Sequence, residues 1–226
     1  MTLPIVILPG MDGTGELLRD FSDSLSAHRS VQVIAYPIQR PLGYDELTML
    51  VLSQVPEQPF VILGESFSGP IAIEVAARQK RTAGLILAST FVRHPIPTFV
   101  APLTRFFDHT CIPQGLVAAS LLGSAGTDDL KARLHEVLVK LPPDIIRTRA
   151  YEACRVDKRD ALRKAKCPLL YLHGRDDRFI GQRCIREITA IRPDCQFRKL
   201  AAPHMLLETH ASEAADIIER FCSQLG

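Results

Sequence analysis

The chain has 226 residues, of which 46% are hydrophobic and 23% charged, and its formal net charge is +2. That length and balance fit one ordinary globular domain with a sizeable core, and so small a charge gives no ground for a nucleic-acid partner or an anionic membrane surface. No run of about 18 apolar residues marks a transmembrane helix, and the opening Met1-Thr2-Leu3-Pro4-Ile5-Val6 lacks the basic stretch of a signal peptide. A cytoplasmic protein is expected.

The first predicted strand is Ile5–Leu8. It runs into Leu8-Pro9-Gly10-Met11-Asp12-Gly13-Thr14-Gly15, a glycine-dense loop whose backbone can approach a ligand. A dinucleotide loop is the rival reading, but Leu18 stands where G-x-G-x-x-G needs its third glycine, and no P-loop lysine follows. A helix over 16–27, a strand over 31–36 and a helix over 44–54 come next. The strand over 60–63 ends in Gly64-Glu65-Ser66-Phe67-Ser68-Gly69, and a helical stretch over 69–80 follows. A turn squeezed between a strand and a helix needs small residues, and it lifts its apical serine, Ser66, out of the sheet. A Gly/Ser loop without chemistry is the plainer alternative.

After a strand over 84–88, no strand is evident until 168–173. So long a gap requires structure of its own. Helical patterns at 115–122, 128–140 and 143–153 suggest a short helical insertion over about 92–166, acting as a cap or simply as packing over the sheet edge. Phe99, Phe106 and Phe107, with Met11 and Met205, either line an apolar acyl pocket or pack the insertion onto the sheet. Beyond 168–173 lies His173-Gly174-Arg175-Asp176-Asp177, then a helix over 182–191 and a strand at Gln196–Leu200. Ala202-Pro203-His204-Met205 leads to a last helix over 212–224. The alternation predicts one α/β domain over 1–226, with a mostly parallel sheet of about six strands flanked by helices. Six cysteines, none in a C-x-x-C pair or at zinc-finger spacing, read as reduced thiols. None has local support as a nucleophile.

The serine at a strand–turn–helix apex, the Pro-Gly-x-Asp-Gly-Thr-Gly loop, the insertion, the His-Gly-x-x-Asp turn and the late histidine together resemble the α/β-hydrolase superfamily, in its small serine esterase and thioesterase branch. The likeness covers nearly the whole chain. The Gly-x-Ser-x-Gly elbow of that family is altered here: Ser68 stands at the fifth position and the glycine follows at Gly69. The opening Leu-Pro-Gly-Met-Asp-Gly-Thr-Gly is also similar to plant acyltransferase domains that move fatty acyl groups onto phytol. Larger relatives carry a β-hairpin ahead of the first strand and a longer lid, which implies a trimmed sheet and a more exposed site here.

The resemblance implies the chain order nucleophile, acid, histidine. A serine hydroxyl needs a histidine base, and that base needs an acid to orient it. Ser66 would be the nucleophile. Asp177 has the Gly-x-x-Asp spacing of the family, with Asp176 its competitor. His204 follows the last strand, whereas His210 lies six residues further into the helix approach. The backbone N–H groups of Met11 and Phe67 would hold an oxyanion. These assignments imply a serine hydrolase of small carboxylic esters or thioesters, with no metal or cofactor, no nucleic acid and no membrane span. The alternatives are an acyltransferase passing the acyl group to an alcohol and a non-catalytic ligand-binding member of the same fold.

Overall fold

A computed structural model describes residues 2–225. Six strands form one all-parallel sheet: β1 (Ile5–Leu8), β2 (Val31–Val33), β3 (Phe60–Glu65), β4 (Thr82–Ala88), β5 (Leu169–Gly174) and β6 (Gln196–Leu200). Their order is β2-β1-β3-β4-β5-β6. β1 and β3 are both interior strands, so both faces of their near-continuous apolar runs are buried.

Side-chain alternation along these strands divides the interior into two layers. Val6, Leu8, Phe60 and Ile62 face one cluster, which packs under α2 (Tyr44–Leu52), α3 (Gly69–Arg78), α7 (Arg159–Lys164) and α8 (Gln182–Ile191). Ile5, Ile7, Val61 and Leu63 face the other, which packs under α1 (Arg19–Ser26) and α10 (Ala211–Cys222). Because the strands are all parallel, their carboxyl ends lie along one edge, where sites in parallel α/β sheets form.

β2 is shorter than the predicted 31–36. After Val33 the chain leaves β1, and the Tyr36 N–H donates to the Gly13 carbonyl at 2.7 Å, closing over the glycine-dense loop instead. Between β4 and β5 lie a 3-10 segment (Thr98–Phe106), a 3-10 turn (His109–Cys111), and helices α4 (Gln114–Leu122), α5 (Asp128–Lys140), α6 (Pro143–Ala153) and α7. α4, α5 and α6 build a third apolar cluster from Leu122, Leu130, Leu134 and Ile146, which rests on Leu17 and Met205. All six cysteines are free thiols. No helix among the described residues is long and apolar enough to cross a membrane.

Candidate active site

The turn after β3 is tight because nothing larger than hydrogen fits at Gly64. A methyl group there would stand 2.6 Å from the Ser68 carbonyl oxygen and 2.7 Å from Ala72 Cβ. Ser66 takes φ 46, a left-handed conformation that costs a non-glycine residue on the order of 1–2 kcal/mol. Two side chains hold it there. The Thr90 hydroxyl donates to the Ser66 carbonyl. The Tyr44 hydroxyl donates to the Phe67 carbonyl at 3.0 Å, and its ring stacks on that of Phe67 at 4.6 Å.

Ser68 does more than stay small. Its side chain is fully buried, and its hydroxyl donates to the Pro9 carbonyl. With that proton committed, the Tyr36 hydroxyl is the donor in the 2.5 Å contact with Ser68 Oγ. A glycine at this position would leave both partners without their bond. The serine therefore ties the turn to the loop after β1 and to the end of β2.

The other two predicted side chains meet Ser66 at the sheet edge. His204 Nε2 lies 2.9 Å from Ser66 Oγ. His204 Nδ1 lies 2.9 Å from Asp177 Oδ2. The other Asp177 oxygen accepts the N–H groups of Phe179 and Ile180 at 2.8 and 3.0 Å. Burial alone would raise the Asp177 pKa, but the His204 hydrogen bond and those two N–H groups hold it below the usual carboxylate range. With the Asp177 carboxylate ionised, His204 carries its proton on Nδ1 and offers Nε2 as an acceptor to the serine. Asp176 is exposed, and His210 is turned to the Thr209 hydroxyl at 3.0 Å.

Gly174 explains how these two loops meet. A side chain there would collide with the backbone oxygens of Ala202 and Pro203. The N–H groups of Arg175 and Asp176 donate across that contact to Leu200 and Ala202 at 2.8 and 3.0 Å. Loops after β5 and β6 are thus zipped together, which fixes the separation of Asp177 and His204.

Met11 follows Gly10, whose carbonyl accepts the Gly13 N–H at 3.1 Å. In that planar peptide the Met11 N–H faces the opposite way from the Gly10 oxygen. Phe67 sits in the first turn of a 3-10 segment (Ser66–Ser68) that runs into α3, where N–H groups have no intrahelical partner and the dipole favours negative charge. The loop carrying Met11 is clamped from behind by Arg149 on α6. Its Nη1 donates to the carbonyls of Met11 and Asp12 at 2.8 and 2.7 Å, with only 2% of the residue exposed. Burial lowers the Arg149 pKa, which stays a cation in that pocket.

A cavity of about 430 Å³ opens beside Ser66 and His204. Ile112, Leu116, Leu121, Leu134 and Leu138 from the insertion give it apolar walls, while Met11, Met205 and Phe107 join them. Phe99 and Phe106 do not. They are 79% and 71% exposed, because Ala101 is what the 3-10 segment presses inward and the phenylalanines fall on its outer side. A second cavity of about 360 Å³ abuts the first across Ile112, Val117, Leu134 and Leu138. Sequence reasoning passed over Arg149, Tyr36, Glu65 and Glu208. The two glutamates also line the site cavity. Among the described residues no cluster of His, Cys, Asp or Glu is arranged to hold a metal ion.

A family model described as serine aminopeptidase, S33, matches residues 44–198. The fold superposes on the enol-lactonase from Burkholderia xenovorans LB400 with a TM-score of 0.84 at 16% identity, covering 99% of this chain and 92% of that one. An esterase from Exiguobacterium antarcticum gives a TM-score of 0.82 at 14% identity, covering 98% and 92%. Phytyl ester synthase 1, chloroplastic, from Arabidopsis thaliana is 29% identical over 126 residues, which make up 50% of this chain and 18% of that protein. The match thus spans about a fifth of that relative's length. The structural likenesses bear on the α/β-hydrolase fold alone.

Proposed function

The chain belongs to the α/β-hydrolase family described as serine aminopeptidase, S33, and from that premise we propose that it is a serine hydrolase of carboxylic esters or thioesters, working through an acyl-enzyme on Ser66. The observation that carries this reading is the relay from Ser66 Oγ to His204 to Asp177, with both contacts at 2.9 Å, at the mouth of an apolar cavity.

Ser66 Oγ attacks the acyl carbon as His204 Nε2 takes its proton. Asp177 keeps the imidazole in the tautomer that can accept it and stabilises the resulting imidazolium. The N–H groups of Met11 and Phe67 bind the oxyanion, in a site where fixed donors are worth far more than in water. His204 then protonates the leaving alcohol or thiol. Water enters, gives its proton to His204 and attacks the acyl-enzyme, which releases the acid and restores Ser66. The apolar walls suit the acyl chain.

Acyl transfer to an alcohol is the second reading, favoured by the match to a phytyl ester synthase. It differs only in the group that attacks the acyl-enzyme. One experiment addresses both. Hydrolysis of p-nitrophenyl esters from acetate to palmitate is measured for the wild type and Ser66→Ala, with and without a long-chain alcohol. We expect turnover to fall by ~10³-fold or more in Ser66→Ala. New ester formed with the alcohol present would favour transfer. Near-normal turnover by Ser66→Ala would remove the mechanism.

A further inference from the structure

Two buried carboxyls lie under the site and have no part in the relay. Glu65 immediately precedes Ser66 at the end of β3, and Glu208 sits on the short helix α9 (Leu206–Thr209) that follows His204. Their exposures are 4% and 9%, and the two side chains are close enough to hydrogen-bond. Glu208 Oε2 is buried without a donor from any other side chain or backbone group. Glu65 Oε2 lies beside the loop after β1: a methyl group at Gly10 would stand 3.5 Å from it and 3.9 Å from Ser66 Cβ. The Gly10 amide lies near enough to the Glu65 carboxyl to offset part of the effect of burial. Gly10 is the residue that sets the peptide plane of the Met11 N–H.

Two carboxylates cannot both stay ionised at hydrogen-bond distance in a buried place, so the pair holds at least one proton. Burial, reinforced by the neighbouring carboxylate, drives the Glu65 pKa well up, and burial brings Glu208 to about 7. The groups facing the pair are few. The loop contributes Asp12, whose carboxylate is taken by the N–H and hydroxyl of Thr14 at 2.8 and 2.6 Å. The segment before α9 contributes His204. Arg149 lies behind the loop on carbonyl oxygens, and Glu16 on the adjoining turn is turned outward to Lys140. Among the described residues no cation reaches the pair to steady a second negative charge.

We propose that Glu65 and Glu208 are positioning residues of the reaction: a carboxyl–carboxyl pair that seats the Gly10–Met11 backbone beside Ser66 and must stay uncharged for the oxyanion to form there. It rests on the hydrolase reading of Ser66. Loss of the Glu208 proton would set negative charge next to the place where the oxyanion develops, and the rate would fall as pH rises through about 7. A purely structural pair would affect folding but would leave the pH profile of the remaining activity alone.

The test is the rate of ester cleavage from pH 6.5 to 9 for the wild type, the Glu65→Gln/Glu208→Gln double variant and Glu65→Ala. Fluorophosphonate labelling of Ser66 counts active sites in each. Dividing the double variant by the wild type at every pH cancels the shared His204 limb. The amide pair keeps a donor and an acceptor without a proton to lose, so this ratio should rise about tenfold or more across the range. Glu65→Ala should lose about tenfold in kcat with KM within about twofold, as expected for a donor that acts in the transition state. A ratio flat with pH, with normal kcat in Glu65→Ala, would overturn the pair's role while leaving the Ser66 mechanism standing. Wild-type protein that neither labels nor cleaves would remove the hydrolase reading and this inference together.

Discussion

Restoring the family glycine at position 68 should damage this protein. Ser68 Oγ bonds the Pro9 carbonyl and accepts from the Tyr36 hydroxyl, and all three groups are shielded from water. Ser68→Ala removes the hydroxyl and strands both partners. Each of the two stranded buried groups costs about 1–3 kcal/mol, so the loss should total about 2–6 kcal/mol. Ser68→Gly adds backbone freedom to the same loss and should be at least as costly. Tyr36→Phe removes one donor only, because Ser68 keeps Pro9, and should cost about 1 kcal/mol. In the double variant no phenol is left to strand. Its loss should therefore be about 1–2 kcal/mol smaller than the sum of the single losses. Urea unfolding followed by circular dichroism for the four proteins gives the coupling directly. Additivity within about 0.3 kcal/mol, or a Ser68→Gly protein as stable as the wild type, would refute the assigned role of this hydroxyl.

Three further outcomes are expected. Arg149→Met leaves the Met11 and Asp12 carbonyls without their charged donor, so it should destabilise by about 3 kcal/mol in urea unfolding and lower kcat per labelled active site. Glu208 has its pKa raised from 4.5 to about 7 in the folded protein, so the folded state holds a proton that the unfolded chain has released. Its contribution to stability is complete below the unfolded value and is lost as pH rises through about 7; Glu208→Gln should gain on the order of 2–3 kcal/mol over the wild type at pH 8 and little at pH 4, read from urea midpoints. Val117 lies on the wall shared by the two cavities, so Val117→Trp should move the optimum of the p-nitrophenyl ester series to shorter chains while acetate turnover stays within about twofold, each excluded methylene being worth about 1–3 kcal/mol.

The strands were legible because both faces of the sheet are covered, which makes each strand a short apolar run between turn residues. β1 and β6 have the bounds their sequences predict. β2 was read too long because its apolar pattern continues to Tyr36, and only the long-range bond to Gly13 takes that residue out of the ladder. Helix α7 escaped notice because six residues are too few to show a period. Ser66, Asp177 and His204 stood out because each follows a strand and carries chemistry that needs the other two. Glu65 and Glu208 gave no such signal. A carboxylate beside a serine and another on a helix read as solvated residues until the fold buries them against each other. Arg149 was hidden in the same way, because nothing in its helix distinguishes it from the half-buried Arg147 two residues earlier.

Arg149 also decides how the insertion relates to the site. Opening the whole insertion as a lid would draw a buried cation off the carbonyls of Met11 and Asp12. It would also break the bond from the Met205 N–H to the Leu121 carbonyl, 3.1 Å long, and split the cluster of Leu122, Leu134 and Ile146 from Leu17 and Met205. Those contacts hold the loop with the Met11 N–H and the loop with His204, so a lid that moved as one body would dismantle the relay it was meant to uncover. The 3-10 segment (Thr98–Phe106) has no such ties to either loop, and it exposes Phe99, Leu103 and Phe106 on its outer side. Access to the cavity without loss of the site is therefore cheapest through the rim made by Phe107, Leu116 and Phe179, three cavity-lining residues that already reach solvent. The helices of the insertion form the back wall of the candidate site, and the proposed chemistry depends on that wall staying in place.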